Sequence, residues 1–232
     1  MMEGEVLDGL IRRANGSGKD SSDALRRLAA VGGDAVPAIL DALRSDGRLT
    51  NSVVCLIGAL AEPRHIPLLA EAVSEDNYHI QMAAVDALGG VGGKMVLEPL
   101  YRLLLDESFG MVVRSAAARA LGRTGRTEVV PLLLEFGAVA DDIEDDNIEY
   151  GGTREIAVTA VAVALARLGR HDFGPQVVGL LSHPFPPARA LAAKALHETV
   201  APGMLAALRP LVRDKDSEAR LNAILAIYLL GA

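Results

Sequence analysis

The residues whose types could do chemistry are few: five histidines, one cysteine and a run of acids. The histidines are His65, His79, His171, His183 and His197, and only His197-Glu198 places a histidine beside a glutamate. A metal site needs several converging ligands. His183 lies among Pro184, Pro186 and Pro187, which reads as a turn. Each histidine is therefore expected to be satisfied or solvated, and no metal or cofactor is expected. Cys55 sits in SVVCLIGAL without a basic neighbour to lower its pKa, so a half-buried, inert thiol is expected. NGSGKDS at 15–21 has Gly and Lys but lacks the Ser or Thr directly after Lys19 that a phosphate loop needs, and Arg13 stands where the first Gly belongs. It reads as a turn whose Asp20 or Ser21 caps the next helix. The outward-facing row set out below has no Ser–His pair, no paired carboxylates and no His cluster, which a nucleophile or general base would need. The chain is expected to be an interaction module and not a self-contained enzyme.

Composition points the same way. Half of the 232 residues are apolar, which argues against disorder, and Trp is absent. Small aliphatic side chains suit closely packed helices better than sheets, which favour β-branched and aromatic residues. The formal charge of −7 offers no basic footprint for nucleic acid. No stretch has the roughly 18 apolar residues of a membrane span. A single cysteine and an acidic N-terminus point to a soluble, cytoplasmic protein.

The elements that must hold these residues repeat along the chain. HIQMAAVDALGGVGG from His79, VVRSAAARALGRTGR from Val112 and PARALAAKALHETV from Pro187 are Ala-rich and amphipathic, each with an anchoring leucine. The anchors run Leu28, Ile57, Leu88, Leu121, Leu165, Leu196 and Ile227, mostly 29 to 33 residues apart, with one gap of 44. Prolines recur in the same register at Pro37, Pro67, Pro99, Pro131 and Pro175. Proline is tolerated in a first helical turn, and the glycines Gly32, Gly92, Gly125 and Gly169 suit helix ends. Each period thus holds a short helix A and an Ala-rich helix B. The pairs are read at 3–14/20–31, 34–45/49–60, 64–74/77–91, 94–106/109–123, 127–140/153–168, 171–182/185–199 and 202–213/215–230.

VVRSAAARALGRTG at 112–125, EPRHIPLL at 62–69 and SEARLNAILAI at 217–227 resemble HEAT repeats, specifically the short bacterial, phycobilisome-lyase-like type. The resemblance covers nearly the whole chain. It implies an all-α, right-handed α-α superhelix, a HEAT-like solenoid of about seven two-helix repeats, with helices A convex and helices B concave. Residues 1–232 would form a single solenoid. One HEAT family, the di-iron deoxyhypusine hydroxylases, carries several His–Glu pairs on successive helices. The matching positions here are Gly89-Gly90, Gly122-Arg123 and Ala166-Arg167, so its metal site cannot be assembled.

Three features remain for binding. Arg114, Arg189 and Arg220 start helices B, and Asp106, Glu107, Asp214 and Asp216 precede them in turns. A ladder joining neighbouring repeats is the expected role. Positions six and two before each anchor should face outward together. They read Ser22/Arg26, Asn51/Cys55, Met82/Asp86, Ser115/Arg119, Thr159/Val163, Ala190/Lys194 and Leu221/Leu225. Met82, Asp86, Ser115, Arg119, Thr159 and Lys194 are the expected partner-binding residues of this row. The 44-residue gap holds an acidic insertion at 141–152, DDIEDDNIEYGG, whose Asp141, Asp142, Glu144, Asp145, Asp146 and Glu149 could meet a basic partner.

The leading reading is a noncatalytic scaffold holding a protein or peptide in its concave groove. The alternative is a component resembling bilin lyase subunits, acting on a pigment–protein. A third, a nucleic-acid-binding HEAT protein, is disfavoured by charge. No membrane partner is expected. The last helix, ARLNAILAIYLLGA from Ala219, is apolar on more than one face and is expected to support weak homo-oligomerisation. Because the insertion interrupts an otherwise even period, deleting Asp141–Gly152 should leave the melting temperature nearly unchanged. Loop closure costs only ~0.6 kcal/mol per doubling of length, so a large fall would place these residues in the stack.

Overall fold

The computed structural model describes residues 2–46, 48–141, 153–196 and 203–231. All regular structure among them is helical. The chain divides into two compact units, Met1–Leu100 and Tyr101–Ala232.

The first unit contains α1 (Met2–Ala14), α2 (Lys19–Val31), α3 (Ala35–Asp46), α4 (Asn51–Leu60), α5 (Ile66–Val73) and α6 (Tyr78–Val91). They form three A/B pairs, α1/α2, α3/α4 and α5/α6, and the B helices pack on one another in sequence. α7 (Leu97–Leu105) spans the division between units. The second unit contains α8 (Met111–Arg123), α9 (Val130–Asp141), α10 (Thr153–Arg167), α11 (Gly174–Leu180), α12 (Pro186–Leu196), α13 (Met204–Leu208) and α14 (Ser217–Gly231). Here α8, α10, α12 and α14 follow one another as B helices. The sequence-derived pairs match these helices to within about three residues at most ends. The helix read at 202–213 is α-helical only over Met204–Leu208 before a 3-10 segment, Arg209–Arg213, and the end read at 199 lies outside the described residues.

The two sequence markers have direct structural meanings. Leu28, Ile57, Leu88, Leu121, Leu165 and Leu196 are fully buried, and Ile227 is half-buried. The prolines lie in the first turn of helix A, where Pro67 and Pro175 are second residues. Their missing N–H costs nothing there, because first-turn donors have no intrahelical acceptor. Glycine caps α2 at Gly32 and α6 at Gly92 as expected, but neither takes the left-handed helical conformation. Gly125 and Gly169 follow α8 and α10 with positive φ, and α4 ends on Ala61. Gly92 has φ 66° and ψ −165°, a region essentially only glycine enters. At the other end of α6, the Asn77 side chain accepts hydrogen bonds from the amides of His79 and Ile80.

Two local expectations are corrected. Neither Asp20 nor Ser21 caps α2, whose N-cap is Gly18 without a side-chain bond. Ser21 is buried, and its hydroxyl donates to the Ala14 carbonyl at 2.8 Å, tying α2 to the end of α1. Cys55 is exposed, not half-buried. α4 turns Val53 and Ile57 inward, and a residue two positions from each points away from that face.

Within the units, α4 and α6, and likewise α8 and α10, approach so closely that side chains have no room at the contact. A Cβ on Gly122 would collide with the Ala164 Cα and stand 2.7 Å from its Cβ. A Cβ on Gly90 would stand 2.9 Å from the Gly58 carbonyl oxygen. Gly122→Val should therefore lower stability by about 1–3 kcal/mol, the usual range for overpacking. Gly179 in α11 meets nothing within 4 Å. Gly179→Ala should instead raise stability by about 0.4–1 kcal/mol through unfolded-chain entropy. Urea unfolding of both variants checks the opposite signs.

Candidate interaction surface

Before any surface can bind, the turns must be held, and polar side chains do this from one repeat to the next. The Asn15 side chain donates to the Arg48 carbonyl at 3.0 Å and accepts from the Thr50 amide at 2.6 Å. Arg44 at the end of α3 donates twice to Glu75 Oε1, at 3.0 and 2.6 Å. Arg64 donates to Asp34 at 2.7 Å. In the second unit Arg189 forms a fork with Asp214, Nε to Oδ2 at 2.7 Å and Nη2 to Oδ1 at 2.8 Å. Its third nitrogen donates to the carbonyls of His183 and Pro184.

The expected ladder is thus formed at Arg189, from α12 to the turn before α14. Arg220 takes a different part, donating to the Asp214 and Lys215 carbonyls at 2.7 and 2.9 Å. Arg114 donates to the Leu104 carbonyl at 2.9 Å and stacks 5.3 Å from the Phe136 ring centre. The sequence reasoning missed Asn15, Arg44 and Arg64, because their partners lie some thirty residues away and no local pattern marks them.

The outward row is present in the first unit. Ser22, Arg26, Asn51, Cys55 and Asp86 are exposed and Met82 is half-exposed. They lie on α2, α4 and α6, which pack side by side. Arg26 is ion-paired with Asp23 on its own helix.

In the second unit the row breaks. Ser115 and Thr159 are buried, as is Val163, while Arg119 is half-exposed and Lys194 exposed. Ser115 lies seven residues before Gly122, on the face that meets α10. α10 is enclosed by α8, α9, α11 and α12, and Ala157 through Leu165 are all buried. The Thr159 hydroxyl donates back to the Glu155 carbonyl at 2.7 Å. The run AVTAVAVAL, apolar except for Thr159, carried this signal, since a helix apolar all round is a buried one. Asp141 ends α9, and Asp142, Glu144, Asp145, Asp146 and Glu149 lie outside the described residues.

Other candidate groups are accounted for by local structure. His65 Nδ1 accepts from the Glu62 amide at 2.9 Å. His183 Nδ1 accepts from the Phe185 amide at 3.2 Å, and its Nε2 lies 3.5 Å from Glu155 Oε1. Glu155 is buried, and its second oxygen makes no hydrogen bond. His79 stands edge-on to Tyr78, His171 is exposed, and His197 with Glu198 lies outside the described residues. Among the described residues no three His, Cys, Asp or Glu side chains converge on one point. A cleft of about 750 Å³ between α1 and α3 is lined by Asp8, Arg12, Asp34 and Asp41. Two of its acids are already engaged, Asp41 by Arg44 and Asp34 by Arg64. No single helix among the described residues is long and apolar enough to cross a membrane.

Helix pairs at a period near 32 residues, stacked B on B and tied turn to turn, define an all-α protein built of two-helix repeats. The family profile of HEAT repeats matches residues 36–112 and 67–147. No curated protein matches the chain in sequence. Among solved structures it is similar to a designed armadillo repeat protein at 19% identity and TM-score 0.40, over 97% of this chain and 99% of that one. A second designed armadillo repeat protein, in complex with the peptide (KR)4, is similar at 18% identity and TM-score 0.41, over 97% and 99%. Human deoxyhypusine hydroxylase in complex with glycerol is similar at 18% identity and TM-score 0.44, over 100% and 98%. Likenesses at this level transfer no function.

The Arg189–Asp214 fork has a pH signature. Arg189's hydrogen bonds, helped by the Asp216 amide, hold the Asp214 carboxyl down to about 2, from an ordinary value of 3.8. The folded chain therefore releases this proton more readily than the unfolded chain. The contribution is complete above about pH 4 and is lost as pH falls through 2. Asp214→Ala should cost about 1.5–3 kcal/mol at neutral pH, as for hydrogen bonds to charged groups. It should also flatten the acid limb of a stability-against-pH curve.

Proposed function

We propose that this protein is a noncatalytic scaffold that holds a protein or peptide partner against its B helices. The supporting observation is the row on α2, α4 and α6, where Ser22, Arg26, Asn51, Cys55, Met82 and Asp86 lie at or near the surface of three adjacent helices. Such a face mixes both charges, amides and a flexible thioether, which suits an extended or helical peptide more than a small molecule. Arg119 and Lys194 add basic side chains on α8 and α12 of the second unit. The acidic insertion at 141–152 is part of the same reading, as a contact for basic residues of the partner. So are the extension of HEAT repeats to all seven helix pairs as one solenoid, the phycobilisome-lyase-like subtype and a cytoplasmic location.

The test uses the whole chain as bait in an affinity pull-down from native cells, read by mass spectrometry. The wild type is compared with an Arg26→Glu/Asp86→Arg variant and with a deletion of 141–152. A partner retained by the wild type and lost by the charge reversal assigns it to the row. Loss on the deletion, with weakening by salt, assigns it to the insertion. Equal recovery by all three baits would remove the reading.

A further inference from the structure

α14 buries a narrow face and leaves a broad apolar one open. Ala219, Ala223 and Ala226 are inside, and the Asn222 amide donates to the Ala190 carbonyl at 3.1 Å. Leu221, Ile224, Leu225, Tyr228 and Leu229 are 56, 48, 48, 72 and 55% exposed. Spacings of three, one, three and one set all five on one side of the helix. No residue from Leu221 to Gly231 carries a charge.

We propose that this stripe is a homodimer surface, α14 pairing antiparallel with α14 of a second copy about a two-fold axis beside Leu225. Residue 221 of one copy then meets residue 229 of the other, and the two Leu225 side chains meet each other. A two-fold contact requires a self-complementary patch. This one qualifies because it is uniformly apolar and bounded by leucines at both ends.

Charge and area narrow the occupant. An acidic or basic partner would find nothing to pair with along the stripe. A lipid surface is favoured by helices whose opposite face is rich in Lys and Arg, whereas the opposite face of α14 is buried alanine. If a pair covered all five side chains on both copies it would bury at most about 1,000 Å², the lower bound of a specific interface. A contact of this size lies among small, transient interfaces, so the dimer is expected to be reversible. This inference does not rest on the B-helix row.

Sedimentation velocity of the full chain, from about 1 to 500 μM, should show a reversible monomer–dimer equilibrium. Leu225→Lys and Tyr228→Lys should each raise the dissociation constant by about tenfold or more. Met95→Lys, at a residue 68% exposed elsewhere, should leave it unchanged. Far-ultraviolet circular dichroism confirms that the variants keep their helices. In a Cys55→Ser background, Leu225→Cys should form a disulfide between copies under mild oxidation. A mixture of Leu221→Cys and Leu229→Cys chains should cross-link to each other in preference to themselves. A monomer at every concentration would overturn the proposal, whether or not it then bound neutral lipid vesicles. So would a dimer unaffected by Leu225→Lys.

Discussion

The close approach of consecutive B helices governs the rest of this molecule. At Gly122 against Ala164, and at Gly58 against Ala87 and Gly90, backbone nearly touches backbone. Only glycine and alanine allow that, and interiors packed to crystal-like density leave no slack for larger groups. The absence of tryptophan and the wealth of alanine follow from it. So does the division of labour within a helix. Alanine buries little apolar area, so most of the hydrophobic stabilisation falls to the anchors Leu28, Ile57, Leu88, Leu121, Leu165 and Leu196.

Closely spaced helices leave their turns crowded with unpaired carbonyls and amides. Arg189 answers this with one guanidinium that serves two carbonyls and a carboxylate. Arg220 and Arg114 do a smaller version of the same work. Asn15 fills the role in the first unit without charge, matching one donor and one acceptor to Arg48 and Thr50. Every one of these bonds reaches no further than the adjoining repeat.

How much of this was legible depended on how local each cause is. Anchors, prolines and terminal glycines act within one helix, so their spacing in the sequence reported the helix pairs closely. The outward row was legible on α2, α4 and α6 because those helices keep a free face. It failed at Ser115 and Thr159 because α8 and α10 are covered on that side, which depends on neighbours outside the repeat. The meeting of Glu155 with His183 and that of Arg44 with Glu75 each bring together residues about thirty positions apart. Side-chain types alone do not report such meetings.

The one-repeat reach of the polar fastenings has a mechanical consequence. A tension applied along the stack of either unit is carried in series through these bonds, because each joins neighbouring repeats. The Arg189–Asp214 fork and the Arg44–Glu75 pair would then each yield at their own load. The force–extension trace would climb in separate teeth instead of a single rupture. Such a chain behaves as a compliant spring, absorbing strain by opening one junction while its neighbours stay shut.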